Sequence, residues 1–249
     1  INAGTLVAGS TDALTNARVV IDDASGATLQ LIGYDATLDR LSGGGSTGGA
    51  VDLGGRTLAL GRDNVSTSFA GVISGSGVLV KQGTGTFTLS GANTYSGGTT
   101  VEAGVLQSGV SSTESPSFSD GPFGTGSVSV ASGAGLDLNG HTVANALTLA
   151  GTGFSNSGAL FNSSGSAATV NGAIALSADT TVRNNGALVI NGSINAANGA
   201  SGSALTFANT GLLTLAGTVG GSAPIASLQI DAAAVLDAGI TTTGSQTYK

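Results

Sequence analysis

The apolar residues of this chain fall in short runs, many alternating strictly with polar ones. Val78-Leu79-Val80 and Phe87-Thr88-Leu89 are two such runs, separated by Gly, Ser and Thr. Alternation places Phe87 and Leu89 on one face of a strand and Thr86, Thr88 and Ser90 on the other. The same pattern predicts strands at Thr57–Leu60, Ala146–Leu149, Ala173–Leu176, Leu188–Ile190 and Ala226–Ile230. The clusters between the runs are too polar and too rich in glycine for helix. No single strand of this length makes a core. A stack of such strands does, each resting on the one before it.

Internal copies support stacking. Ile1–Gly9 (INAGTLVAG) parallels Val101–Gly109 (VEAGVLQSG), and Ala24–Leu31 (ASGATLQL) parallels Ala131–Leu138 (ASGAGLDL). Upstream of the second pair, Val19 and Ile21 correspond to Val128 and Val130. Leu79–Gly91 (LVKQGTGTFTLSG) aligns without a gap with Leu205–Gly217 (LTFANTGLLTLAG). In that alignment Lys81 matches Phe207, which predicts a column that is not strictly interior. Spacing between copies drifts, as it does when insertions sit at corners while strands keep their stack. Val110–Gly126, with Pro116 and Pro122, is expected to leave the stack as a loop, because proline cannot donate into a central ladder. Ser42–Gly49 is expected to be a mobile Gly-rich corner.

Asn-Gly pairs at 139–140, 171–172, 185–186, 191–192 and 198–199 also suit hairpins, so an antiparallel β-sandwich is the alternative fold. Corners of a parallel coil need left-handed residues too, and Asn and Gly supply them. The copied runs favour the coil. The expected fold is all-β, a right-handed parallel β-helix (β-solenoid), with residues 1–249 forming one segment cut from a longer chain.

Composition narrows the function. Glycine accounts for 43 of 249 residues, yet 40% are hydrophobic, which excludes a flexible Gly/Ser linker. There is no Gly-X-Y period, so collagen is excluded as well. Charged residues make up 8%, against roughly 25% in ordinary globular domains. Seven Lys and Arg against fourteen Asp and Glu form no phosphate-binding stripe, so nucleic acid is not an expected partner. No apolar run approaches a membrane-spanning helix. With no cysteine, disulfides and thiolate chemistry are excluded.

Gly75–Gly98 (GSGVLVKQGTGTFTLSGANTYSGG) resembles the autotransporter-associated β-strand repeat of bacterial type V passenger domains, and Glu102–Gln107 (EAGVLQ) is similar to its continuation. Gly124–Gly140 (GTGSVSVASGAGLDLNG) resembles the rung that commonly follows. Ile240–Tyr248 (ITTTGSQTY) looks like a segment of large haemagglutinin-type exoproteins. The resemblance implies a β-helix outside a Gram-negative cell, with a role in adhesion, aggregation or as a stalk.

Catalytic candidates are sparse. His141 is the single histidine, and a triad would need it beside a nucleophile and an orienting acid. Asp22/Asp23, Asp35/Asp39 and Asp63 could pair as in glycoside hydrolysis. Such clefts usually carry aromatic platforms and several basic residues, whereas this chain has no Trp, three Tyr and widely spaced Arg18, Arg40, Arg56, Arg62 and Arg183. Gly75-Ser76-Gly77 and Gly83-Thr84-Gly85 precede no helix, so neither is a nucleotide loop. No dense carboxylate loop predicts calcium, and neither cofactor nor metal is expected. Thr84, Thr86 and Thr88 would form an ice-binding ladder only if the same columns recurred in successive coils. The expected activity is contact: Thr86 and Thr88 on an outward strand face, and Phe118, Asp120 and Phe123 in the 110–126 loop. Expected partners are a second copy in trans, a host or abiotic surface, or a glycan. A passive stalk and a carbohydrate-active enzyme are the alternatives.

Overall fold

The computed structural model describes residues 1–10, 12–115, 117–197, 202–208 and 210–249. The predicted Asn198-Gly199 corner and Pro116 lie outside them. Two compact units emerge, Ile1–Ser127 and Val128–Lys249, and each is a parallel β-solenoid.

In the first unit one face is a four-stranded sheet of Thr5–Ala8, Thr28–Leu31, Ala50–Asp52 and Ile73–Ser74. Its parallel register places Leu29 over Leu6 and Val51 over Leu29. Stacked residues are therefore about one coil apart, 22 residues in the Gln30–Asp52 pair. A second column runs Leu38, Leu60, Lys81, Val101. A third runs Gly43, Phe69, Leu89, Ser108.

The second unit repeats the plan. Its five-stranded face comprises Thr142–Val143, Ala168–Val170, Leu188–Ile190, Leu213–Leu215 and Ala234–Leu236. Val143, Val170, Ile190 and Leu215 stack inward along it. Leu160, Val182, Phe207 and Ile230 stack along another face, and all four are buried. Each such side chain contributes roughly 1.5–3 kcal/mol on burial. Parallel strands need corners rather than hairpins, which removes the sandwich alternative. The described residues contain one short 3-10 turn, Phe154–Asn156, and no α-helix.

Three local expectations change. Lys81 is 1% exposed, so its column is interior after all. Its methylenes lie between Leu60 and Val101, and its ammonium turns back to the backbone. Nζ donates to the carbonyls of Gln82 (2.6 Å), Gly83 (2.8 Å) and Ala103 (3.2 Å). Burial pushes its pKa down to about 8.

The Ser42–Gly49 corner is tied down. Asp23 Oδ1 accepts the N–H groups of Thr47 and Gly48, and the Gly45 N–H reaches the Gly48 carbonyl. Only Asn139-Gly140 among the described Asn-Gly corners has both residues at positive φ, 48° and 79°. Gly172, Gly192 and Gly217 serve another purpose. They stack, and a Cβ on Gly192 or Gly217 would strike the carbonyl oxygen of the glycine one coil below.

Candidate functional site

Thr86 and Thr88 lie on the outward side of the strand Thr86–Leu89, half-buried, while Phe87 and Leu89 point inward. Parallel pairing sets their neighbours. Thr88 stands between Ser68 and Gln107, and its hydroxyl donates to Gln107 Oε1 at 2.8 Å. Thr86 faces Val105, and its N–H donates to Ser66 Oγ. The row across this face is thus Ser, Thr, Gln. It is a mixed polar strip, and the repeated threonine column an ice surface requires is not formed by these coils.

The 110–126 segment is an excursion with a clamped base. Its outer part is closed by an antiparallel bridge between Thr113 and Asp120: the Thr113 N–H donates to the Asp120 carbonyl, and the Ser119 N–H to the Thr113 carbonyl. Nearer the stack, Asn93 and Gly121 exchange both backbone hydrogen bonds. The buried Asn93 side chain adds two more. Oδ1 accepts the Ile73 N–H at 2.7 Å, and Nδ2 donates to the Pro122 carbonyl at 2.7 Å. One amide therefore joins the coil below to the returning end of the loop. Phe118 and Asp120 remain half-buried on the excursion, and Ser119 Oγ donates to Asp120 Oδ2.

Phe123 is not a contact residue. It is fully buried, because the chain re-enters the stack at Gly121-Pro122-Phe123. Its carbonyl accepts the Thr99 hydroxyl, which also hydrogen-bonds the buried Tyr95 hydroxyl at 2.6 Å. The Thr125 N–H donates to the Tyr95 carbonyl. Burial holds the Tyr95 hydroxyl well above its ordinary pKa, outweighing the opposing hydrogen bond from Thr99. Pattern does not single out Asn93 and Tyr95, since ANTY is locally an ordinary polar corner. Their partners lie near residue 122, and only the folded path brings them together.

Of the candidate aspartates, Asp23, Asp35 and Asp63 are engaged in corners, while the Asp22 and Asp39 side chains make no hydrogen bond among the described residues. Asp23 caps Thr47 and Gly48, Asp35 accepts the Thr57 N–H, and Asp52 accepts from Gly54 and Gln30. Asp137 accepts from Asn139 and from both the N–H and the hydroxyl of Ser163. In each case a side-chain acceptor satisfies backbone donors that a turning chain leaves free. Asp63 accepts from Arg40 Nε (2.6 Å), with Arg18 at 3.8 Å. Desolvation would raise its pKa, but the Arg40 hydrogen bond, the Val65 N–H and the two guanidinium charges hold it below the ordinary value. His141 is half-buried, and its Nδ1 has no hydrogen-bond partner among the described residues. No group of three His, Cys, Asp or Glu among the described residues is placed to hold a metal ion.

Residues 79–107 match the family described as the passenger-associated-transport-repeat. That segment includes Lys81, the Thr86–Leu89 strand, Asn93 and Tyr95. Over 109 residues, 43% of this chain, the sequence is 47% identical to the adhesin BmaC autotransporter of Brucella suis biovar 1. The match spans 3% of that relative's length. No solved structure matches the chain. Among the described residues, no helix is long and apolar enough to cross a membrane.

Proposed function

We infer that this chain, whose repeat and relative support an autotransporter passenger β-helix, is a surface-displayed segment of a bacterial adhesin acting by contact and not by catalysis. The observation that carries this reading is the clamped excursion at 113–120. A parallel coil closes without it, yet the Asn93 clamp holds its returning foot to the stack and the Thr113–Asp120 bridge ties its two limbs together. It presents Glu114, Ser115, Ser117 and Ser119, all exposed, beside the half-buried Phe118 and Asp120. The polar strip of Thr86 and Thr88 offers a second, weaker surface. Many such weak contacts on one cell add up through avidity.

The partners of this reading are a second copy in trans, a host or abiotic surface, or a glycan. Nucleic acid does not suit a chain with a net charge of −7, and no cofactor is invoked. Sedimentation of the whole chain over a range of concentrations tests the self-contact. Self-association is expected, weakened at least about tenfold when Glu114–Ser119 is replaced by two glycines that keep the Thr113–Asp120 bridge. A strict monomer that binds neither cells nor glycans would sink the reading and leave a passive stalk.

A further inference from the structure

The second unit carries a depression of about 270 Å³ that none of the contacts above uses. Two successive coils line it. Phe161 lies in register with Arg183, and Asn162 with Asn184, while Asn185 Nδ2 bridges the coils by donating to the Ser163 carbonyl at 3.1 Å. The volume is just under the range of about 300–1,000 Å³ typical of small-molecule sites. It suits one ring and not an extended chain.

One side chain of this lining lacks a partner. Arg183 is exposed and, among the described residues, makes no ion pair and no side-chain hydrogen bond. The other basic residue of this unit, Lys249, lies 3.4 Å from Asp231. Asp137, beside Phe161 in register, is already committed to Asn139 and Ser163. A lone guanidinium is therefore left beside a half-buried aromatic ring, in a chain with twice as many acids as bases.

Asn184, 2% exposed, lies with Val182 on the core side of the strand, opposite Arg183. Its Nδ2 donates to the Gly186 carbonyl at 2.6 Å, but its Oδ1 is buried without a partner. One coil below, Asn162 occupies the same register and differs. Its Oδ1 accepts the N–H groups of Gly140 and Ser164. The unmatched Asn184 acceptor faces the core and is not presented to the depression.

We propose that this depression binds an acidic sugar residue. The carboxylate pairs with Arg183, whose planar fork matches it. The apolar face of the ring packs on Phe161. This names a ligand class for a contact protein, so it rests on the adhesin reading, but it uses none of the 113–120 excursion.

The test is calorimetric titration of the whole chain with trigalacturonate and with sialyllactose, against galactotriose and acetate as controls. At least one acidic saccharide should bind saturably, galactotriose about tenfold or more weakly. Arg183→Gln should cost about tenfold in affinity, with an unchanged circular dichroism spectrum. Phe161→Leu should also weaken binding and serves if Arg183→Gln does not fold. Binding of neither acidic saccharide, equal binding of acetate, or indifference to both substitutions overturns the proposal. Sedimentation of Arg183→Gln separates the two readings: self-association should persist while saccharide binding weakens about tenfold.

Discussion

Leu60 and Lys81 are register partners in one inward column, an aliphatic side chain stacked on a lysine that is 1% exposed. The methylenes continue the apolar column, and the ammonium serves three carbonyls at a corner. Lys81→Ala removes both at once and should cost about 2–4 kcal/mol in urea unfolding.

The same lysine gives a pH signature. Its folded pKa, about 8, lies below the ordinary 10.5. Between these values the unfolded chain holds a proton that the folded chain has released, so stability rises with pH across that window. Tyr95 acts in the opposite sense. Its folded pKa is raised above 10, so the unfolded chain loses a proton first and stability falls above that pH. Melting temperature should therefore climb from about pH 8 and turn over above about pH 10. Lys81→Met should abolish the climb and keep the fall.

Asn93→Ala leaves the Ile73 N–H and the Pro122 carbonyl without their side-chain partner. A loss of about 1–3 kcal/mol is expected for each buried group left unsatisfied. The backbone exchange with Gly121 would remain alone at the loop base. Limited proteolysis should then cut within 112–121 much faster, with little change elsewhere in the first unit.

Gly192→Ala places a Cβ against the Gly172 carbonyl within a stack of three glycines. The coils would have to separate there, and a loss above about 3 kcal/mol is expected from overpacking against backbone. Gly165→Ala is the control. An added Cβ there meets nothing within 4 Å, and its change should stay within about 0.5 kcal/mol.

Arg40→Gln tests the Asp63 corner. Asp63 has its pKa lowered, so its contribution to stability is present above the ordinary value of 3.8 and lost as pH falls through the folded value. Without Arg40, desolvation is opposed only by the Val65 N–H and the more distant Arg18. Carboxyl titration by NMR should show the Asp63 pKa rise, and acid unfolding should begin at higher pH.

Strand positions and the inward face were legible in the sequence because alternation is a local property. Thr57–Leu60 and Leu188–Ile190 are strands with those bounds. The repeat around Phe87 likewise implied the parallel stack, since copied runs need identical environments. The fate of Lys81, Asn93, Phe123 and Arg183 was not legible. Each depends on what lies one coil above or below, some 20–30 residues away, and corners of variable length decide which residues meet. A lysine opposite Phe207 in an alignment reads as surface until its carbonyl partners are in place. Pro122-Phe123 reads as loop until Asn93 is found beneath it. Periodicity alone set the direction of side chains within a strand; only the stacking of coils chose the neighbours that bury, pair or leave them free.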